Sequence, residues 1–172
     1  MPSPVVTPKL VACVATTQTA TIWLGSRVGE KLAVKIAKHG HPAGAHIEHE
    51  ARILSQLEGI DGIPQLVWLG EFHGKTAFAY HWIDGLNLRL WTQKQNIRET
   101  DWEKFQKVLM ACHQENIVHG DIKAGNCLLC RDGSAHFIDF GKSSLSSKER
   151  LMHDWACLTK LKSEFGNVRQ EA

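Results

Sequence analysis

Three features that would each indicate a particular class of protein are missing from this 172-residue chain. No apolar run is long enough to cross a bilayer, and the first residues, Met1-Pro2-Ser3-Pro4, lack the charged and apolar regions of a secretion signal. No block of lysines and arginines stands out and the net charge is +2, so nucleic acid is not an expected partner. The sequence therefore predicts a cytoplasmic protein without a membrane span.

A disulfide framework is also not expected. The five cysteines are an odd number and lie mostly inside apparent strands and helices, as in a protein of a reducing compartment. Cys127 and Cys130 form C-x-x-C, but as strand residues they are expected to pack rather than to bind metal. Another set with metal-binding side chains has a spacing that matches no usual zinc site. It consists of His39, His41, His46 and His49.

The densest group of polar residues lies between positions 119 and 141. It reads His119-Gly120-Asp121-Ile122-Lys123-Ala124-Gly125-Asn126 and then Ile138-Asp139-Phe140-Gly141. Two β-prone runs joined by Arg131-Asp132-Gly133-Ser134 separate these motifs, which predicts a hairpin. The hairpin would bring Asp121, Asn126 and Asp139 to one end, where their oxygens suit Mg²⁺. A carboxylate there that is not held by metal could instead orient a hydroxyl nucleophile.

Hydrophobic periodicity places the other elements. Strands are predicted at residues 11–15, 20–24, 31–37, 65–72 and 76–82. Helices are predicted at 45–57 and 86–95. A third helix is predicted to start with the capping-box pattern at Thr100, and a fourth is predicted to start at Lys148. The length and the 43% hydrophobic content fit one domain over residues 1–172, with one core or two small lobes.

A buried ion pair is predicted between Lys35 and Glu50. Lys35 stands between the small residues Ala33 and Ala37 on one face of its strand, where it could also be an exposed lysine on an edge strand. Glu50 falls on the apolar stripe of the next helix, and a carboxylate on a buried face needs a partner. That requirement favours the pairing. The stripe consists of Ile47, Ala51 and Leu54.

The segment from His119 to Gly141 resembles the catalytic loop H-R-D-x-x-x-x-N and the D-F-G element of the protein kinase superfamily. The resemblance implies that Asp121 is the base or orienting group for an incoming hydroxyl and that Lys123 contacts the γ-phosphate of ATP. It implies that Asn126 and Asp139 hold Mg²⁺ against the phosphates. His119 would pack behind the D-F-G element.

The same resemblance implies a nucleotide site in the first half of the chain. Lys35 would hold the α- and β-phosphates with Glu50 as its partner, and Ala33 would make room for adenine. Ile83-Asp84-Gly85 resembles the hinge between lobes, with Tyr80 gating the pocket behind the adenine. His81 and Trp82 would line that hinge. Plain core packing is an alternative reading of these aromatic residues, and both can hold together.

The chain departs from the family pattern in three places. The segment that corresponds to the glycine-rich loop, Ala15 to Ile22, contains no glycine, so the hydroxyls and amides of Thr16, Thr17 and Thr19 would have to serve the phosphates. Gly120 replaces the arginine of H-R-D, which argues against control by loop phosphorylation. The activation segment after Gly141 is nearly absent and no A-P-E motif follows. Asp154 resembles the buried aspartate that ties the catalytic loop from below.

The expected fold is therefore α+β, a minimal bilobal kinase-like domain with an antiparallel-sheet N-lobe at about 10–80, a hinge at about 81–85 and a truncated helical C-lobe at 86–172. It resembles RIO and Bud-type kinases, lipopolysaccharide-core kinases and compact effector kinases of bacterial pathogens, one of which modifies a host chaperone. The leading hypothesis is a monomeric serine/threonine protein kinase, cytoplasmic or delivered into a host cell. The alternatives are a kinase for a sugar or lipopolysaccharide-core acceptor and a nucleotide-binding pseudokinase.

Overall fold

The computed structural model describes residues 6–39 and 41–166. By their internal contacts they form two compact units. The sheet unit comprises the residues up to Ser55 together with Gln65–Ile83, and the helical unit comprises Gln56–Pro64 together with the residues from Asp84 onward. An antiparallel sheet thus comes first and helices follow, which confirms the predicted α+β class.

The sheet unit is built on five antiparallel strands and one helix. The strands are β1 at Lys9–Thr16, β2 at Ala20–Arg27, β3 at Glu30–Ala37, β4 at Leu66–Phe72 and β5 at Lys75–His81. Their order across the sheet is β1-β2-β3-β5-β4. The predicted alternation in β3 is confirmed, because Leu32, Val34 and Ile36 share one hydrophobic cluster with Trp68.

The helix of this unit, α1, spans His41–Gln56. It begins four residues before the predicted start at Ala45, because Pro42 lies in the first turn, where a proline costs no hydrogen bond. The predicted stripe is confirmed. Ile47, Ala51 and Leu54 are each about 1% exposed.

From Asp84 onward, the helical unit has first a short strand and then a short helix, not one continuous helix. Gly85–Asn87 forms β6, which pairs antiparallel with a later strand, and α2 covers only Leu88–Thr92. The Asn87 side chain accepts a hydrogen bond from the amide of Leu90 at 3.1 Å and so fixes the start of the helix. The prediction of a helix over 86–95 was wrong at both ends.

The next helix, α3, spans Glu99–Gln114. Thr100 is not its cap. Asp101 lies at the third helical position, and its carboxylate accepts from the amide of Arg98 at 2.9 Å, so the helix starts one residue earlier than predicted. The predicted apolar face is confirmed, with four residues fully buried: Trp102, Phe105, Leu109 and Cys112.

After α3 the chain forms the predicted hairpin and a final helix. The elements are β7 at Ile117–Val118, β8 at Cys127–Cys130, β9 at Ala135–Phe137, β10 at Ser144–Leu145 and α4 at Lys148–Phe165. β6, β8 and β9 form one sheet, and β10 pairs with β7. One-turn 3₁₀ helices lie at Ala124–Asn126 and Phe140–Lys142. Within the described residues, no helix is both long and apolar enough to cross a membrane.

Candidate active site

The loop that carries Asp121 is fixed to helix α4 by one buried carboxylate. Asp154 accepts hydrogen bonds from the backbone amides of His119 at 2.8 Å and Gly120 at 3.0 Å, and it contacts Nε2 of His113 at 3.0 Å. Burial opposes ionisation of Asp154, but these hydrogen bonds outweigh it and lower the pKa of its carboxyl. Asp154 therefore stays charged and holds the loop backbone, as expected from the sequence.

His119 links this loop to the D-F-G segment. Its ring is fully buried, and burial lowers the pKa of the imidazole, so the ring is neutral. Nε2 lies 3.1 Å from the carbonyl oxygen of Ile138 and must carry the proton, because a carbonyl only accepts. Nδ1 then accepts from the amide of Asp121 at 3.2 Å, while the ring packs 4.6 Å from Phe140. The predicted packing role of His119 is confirmed.

Gly120 occupies a backbone conformation that explains the missing arginine. Its φ is +76°, and a Cβ at this position would lie 2.6 Å from the carbonyl oxygen of Lys142. Both features exclude a side chain unless the backbone moves. Glycine is therefore required by the local geometry of the loop.

The Asp121 carboxylate lies between two ammonium groups. Oδ2 accepts from Nζ of Lys123 at 2.6 Å, and Oδ1 accepts from Nζ of Lys142 at 2.9 Å. Burial alone would raise the pKa of Asp121, but the two lysines outweigh it and hold the pKa of this carboxyl below its usual value. Asp121 is thus an ionised acceptor of hydrogen bonds with a fixed orientation.

Asn126 joins the same group from the short 3₁₀ turn that follows. Its Nδ2 donates to the carbonyl oxygen of Asp121 at 2.9 Å and to the carboxylate at 3.2 Å. The backbone carbonyl oxygen of Asn126 accepts a hydrogen bond from the amide of Ile138 at 2.9 Å, so Asn126 is fixed to both motifs. Because Nδ2 is the donor, Oδ1 is the atom of this side chain that can coordinate a cation.

Asp139 follows Ile138 at the end of the hairpin. Its φ is +65° and its ψ is +71°, a left-handed conformation that is uncommon for a residue with a side chain. Its negative charge and that of Asp121 both act on Lys142 and on His119, so the two carboxylates are electrostatic neighbours. Such strained conformations are common at functional sites.

In the sheet unit, Nζ of Lys35 lies 2.6 Å from Oε2 of Glu50. Both residues are buried, with 8% and 3% of their surfaces exposed. The predicted pairing is confirmed, and the alternative of an exposed edge lysine is wrong because β3 has a neighbouring strand on each side. The pair fixes α1 against β3.

The other predicted nucleotide residues of this unit lie at two places. In the strand ladder Ala33 is opposite Tyr80, and Leu32 is opposite His81. The amide of Trp82 donates to the carbonyl of Lys31 at 3.0 Å, and Ile83 ends the unit. The threonines lie elsewhere, at the turn between β1 and β2, and are Thr16, Thr17 and Thr19.

Hydrogen bonds within this turn already engage Thr17. Its amide donates to the carbonyl of Ala20 at 2.8 Å, and its hydroxyl oxygen accepts from the amide of Ala20 at 3.0 Å. Lys38 reaches the turn as well, because its amide donates to the carbonyl of Thr19 and its ammonium group contacts the carbonyl of Thr17. Side-chain and lysine contacts therefore hold the turn in place without glycine.

The sequence pattern of the protein kinase domain family matches residues 20–160 of the chain. The chain belongs to the protein kinase family. The match includes the pair of Lys35 and Glu50, the loop of Asp121 and the carboxylate of Asp154, which are the features described above. The family explains why these residues are present together.

Two curated relatives show how broad the similarity is. This kinase-family chain is 28% identical over 71 residues to a 3-deoxy-D-manno-octulosonic acid kinase of Xylella fastidiosa, an alignment that covers 41% of the chain and 28% of the relative. It is 30% identical over 130 residues to the CBL-interacting serine/threonine-protein kinase 19 of Arabidopsis thaliana, covering 71% of the chain and 27% of the relative. The chain thus spans less than a third of each relative.

Sequence reasoning missed two residues of this kinase domain. Lys142 directly follows the D-F-G element and was read only as part of a shortened loop, although its amine contacts Asp121. His113 was not singled out in the sequence, although it is a third partner of Asp154. The position next to D-F-G was a usable signal for Lys142, whereas nothing in the sequence links His113 with a residue 41 positions later.

Proposed function

We propose that this chain is an ATP- and Mg²⁺-dependent phosphotransferase, and specifically a minimal serine/threonine protein kinase. The observation that carries the proposal is the ionised carboxylate of Asp121, held by Lys123, Lys142 and Asn126 in a loop anchored by Asp154. A fixed acceptor next to cationic groups suits the orientation of a hydroxyl beside a phosphate.

In the proposed reaction, the hydroxyl oxygen of a serine or threonine attacks the γ-phosphorus of ATP. The bond between that phosphorus and the bridging oxygen breaks, and ADP leaves. Asp121 orients the hydroxyl and receives its proton. Lys123 moves from Asp121 to the γ-phosphate, where its charge offsets the charge that develops.

The donor set of the helical unit fits Mg²⁺. Asp139 supplies a carboxylate and Asn126 supplies Oδ1, both hard oxygen ligands of the kind that this ion takes with water and phosphate. Bound Mg²⁺ would neutralise charge on the phosphates. Asn126 is fixed in place because its Nδ2 donates to Asp121 and its backbone carbonyl oxygen accepts from the amide of Ile138.

Nucleotide contacts are proposed for the sheet unit. Lys35, oriented by Glu50, binds the α- and β-phosphates. Ala33 leaves room for the adenine, whose edge would meet the backbone near residue 81. Thr17 is engaged by its hydrogen bonds with Ala20. The turn would therefore cover the phosphates through polar groups of Thr16 and Thr19. The residues proposed for the adenine are Ala33, Tyr80, His81, Trp82 and Ile83.

Two further readings have support of their own. A small-molecule kinase for a sugar or lipopolysaccharide-core acceptor is supported by the similarity to the octulosonic acid kinase and by the few residues between Gly141 and α4. A pseudokinase is supported by the engagement of Thr17 within its own turn.

The leading proposal, a serine/threonine acceptor, is supported by Lys123 and by the similarity to serine/threonine kinases. We place the monomeric enzyme in the cytoplasm, or in a host cell with a chaperone as its target if it is a pathogen effector.

Analysis of the labelled product tests the acceptor. The chain is incubated with γ-labelled ATP and Mg²⁺, together with lysate proteins in one reaction and sugar acids in another, and the product is hydrolysed in acid. Phosphoserine or phosphothreonine that disappears with Asp121→Asn supports the proposal. Label found only in the sugar fraction would instead support the small-molecule kinase, and nucleotide binding without transfer would support the pseudokinase.

A further inference from the structure

A histidine and a cysteine lie one turn apart on helix α4. His153 is exposed and Cys157 is half-buried. Residues four positions apart on a helix share one face, so both side chains lie on the same side of α4. The Sγ atom of Cys157 lies 3.5 Å from Nε2 of His153. Within the described part of the chain, neither side chain has another hydrogen-bond partner.

The distance between these two atoms matches that between two ligands of one zinc ion. Zn²⁺ is bound tetrahedrally, at about 2.3 Å from a cysteine sulfur and about 2.0–2.1 Å from a histidine nitrogen. Two such ligands of one ion are therefore about 3.6 Å apart, and the observed distance is 3.5 Å. The same distance suits a hydrogen bond from the thiol to an unprotonated Nε2. The metal-free pair is thus already held at the spacing that the ion needs.

The charges around Cys157 favour a bound cation. Burial raises the pKa of the Cys157 thiol, and the negative charges of Asp154 and Asp121 raise it further, against the opposite effect of Lys160. Two carboxylates that disfavour another negative charge at this sulfur also attract a dication to it. A coordinated dication deprotonates its thiol ligand, so the ion itself supplies the charge that the thiolate needs.

The chain supplies two ligands to such an ion. Among the residues that the structure describes, no three side chains of histidine, cysteine, aspartate or glutamate come together as a metal cluster. Two ligands at positions i and i+4 of a helix are a known zinc-binding arrangement, in which other groups complete the coordination. Water would fill the remaining positions here. The ion should therefore bind reversibly and less tightly than in a structural site with four protein ligands.

We propose that His153 and Cys157 form a two-ligand site for Zn²⁺ on the surface of α4. Nε2 of His153 and the thiolate Sγ of Cys157 bind the ion, the thiol proton passes to solvent, and two water molecules complete the tetrahedron. The ligands lie on either side of Asp154 in the sequence, so a bound ion would stabilise the turn of α4 that anchors the Asp121 loop. The site does not depend on phosphotransfer.

Titration of the reduced chain with Co²⁺ tests the site, because a thiolate ligand gives Co²⁺ a charge-transfer absorption band in the near ultraviolet. Zn²⁺ is added afterwards and should remove the band, since it binds such ligands more tightly. The variants are Cys157→Ser, His153→Ala and the control Cys13→Ser, which removes an exposed thiol of β1. We expect a one-to-one complex whose band is lost in Cys157→Ser and kept in Cys13→Ser. His153→Ala should weaken binding about tenfold or more.

Absence of the band in the unmodified chain, its persistence in Cys157→Ser, or unchanged affinity in His153→Ala would overturn the inference. Thermal unfolding gives a second readout that needs no thiolate band. Zn²⁺ should raise the melting temperature of the unmodified chain and of Cys13→Ser, and should leave that of Cys157→Ser unchanged. Equal shifts in all three proteins would show that the ion binds elsewhere, and would contradict the site on α4.

Discussion

The backbone amide of His119 donates to Oδ2 of Asp154 at 2.8 Å, although 35 residues separate them in the chain. Oδ1 of the same carboxylate accepts from the next amide, that of Gly120. One buried side chain of α4 thus fixes two successive peptide groups immediately before Asp121. The geometry of the candidate site depends on a residue outside it.

We expect Asp154→Asn to destabilise the fold by about 3 kcal/mol. The side-chain NH₂ of asparagine cannot accept a hydrogen bond, so the backbone amide of either His119 or Gly120 is left buried without its bond. Urea unfolding followed by circular dichroism measures the change. Glu164→Gln, a substitution of an exposed carboxylate on the same helix, is the matched control and should cost less than about 0.5 kcal/mol. Equal stability of Asp154→Asn and the control would contradict the anchoring role.

The stability lost in Asp154→Asn should depend on pH. The folded-state pKa of Asp154 is lowered, so its contribution is present above the unfolded value of about 3.9 and is lost as the pH falls through the folded pKa. The difference in unfolding free energy between the unmodified chain and the variant should therefore be constant near neutral pH and shrink below pH ~4. A difference that grows on acidification would have the wrong sign.

Gly120→Ala should be costly, whereas Gly125→Ala should not. Position 120 combines a φ of +76° with an approach of 2.6 Å to a backbone oxygen, while a Cβ at position 125 would meet nothing within 4 Å. We expect a loss of about 2 kcal/mol or more for the first variant and less than about 0.5 kcal/mol for the second. Thermal unfolding of both variants measures the difference, and similar melting temperatures would show that the backbone at Gly120 relaxes freely.

A double-mutant cycle tests the ion pair of the sheet unit. Lys35→Met removes the ammonium that lies 2.6 Å from buried Glu50 and should cost about 3 kcal/mol, with a large part recovered when Glu50→Gln is added. The exposed pair of Lys160 and Glu164, at 3.8 Å, is the control and should show a coupling below about 0.5 kcal/mol. Couplings of equal size would mean that burial adds nothing to the interaction.

Lys142→Met should raise the pKa of Asp121, because one of the two ammonium groups that hold the carboxylate ionised is removed. Carboxyl carbon shifts followed by NMR during an acid titration measure this pKa directly and need no activity. Lys160→Met should leave it unchanged. If the pKa of Asp121 is the same in Lys142→Met, the contact between these residues is absent in solution.

Patterns that encode burial could be read from the sequence. Alternation placed Lys35 among small residues, helical spacing placed Glu50 on a buried stripe, and the physical cost of a lone buried carboxylate joined them. The hairpin followed from two β-prone runs joined by a turn signal, and the roles of His119 and Asp154 followed from the resemblance to the kinase family. These features are local, or are joined by a motif, so the sequence contains their signal.

Features that depend on tertiary placement could not be read in this way. The residues of β6 were assigned to a helix but form a strand because β8 offers a ladder to them, and this pairing partner lies about 40 residues later in the chain. The start of α3 was missed because Asp101, not Thr100, makes the capping contact with Arg98. Lys142 reaches Asp121 only because the 3₁₀ turn after Asp139 directs it there.

The central claim is that the loop of Asp121 and the ligand Asp139 carry phosphotransfer from ATP. The most direct measurement is transfer of γ-labelled phosphate from ATP with Mg²⁺ by the purified chain, beside Asp121→Asn, Asp139→Ala and the control Lys160→Met, with lysate proteins as acceptors. We predict labelled protein bands from the unmodified chain and the control, and a loss of about a hundredfold or more in both aspartate variants. Equal labelling by all four proteins, or no labelling by the unmodified chain, would contradict the account.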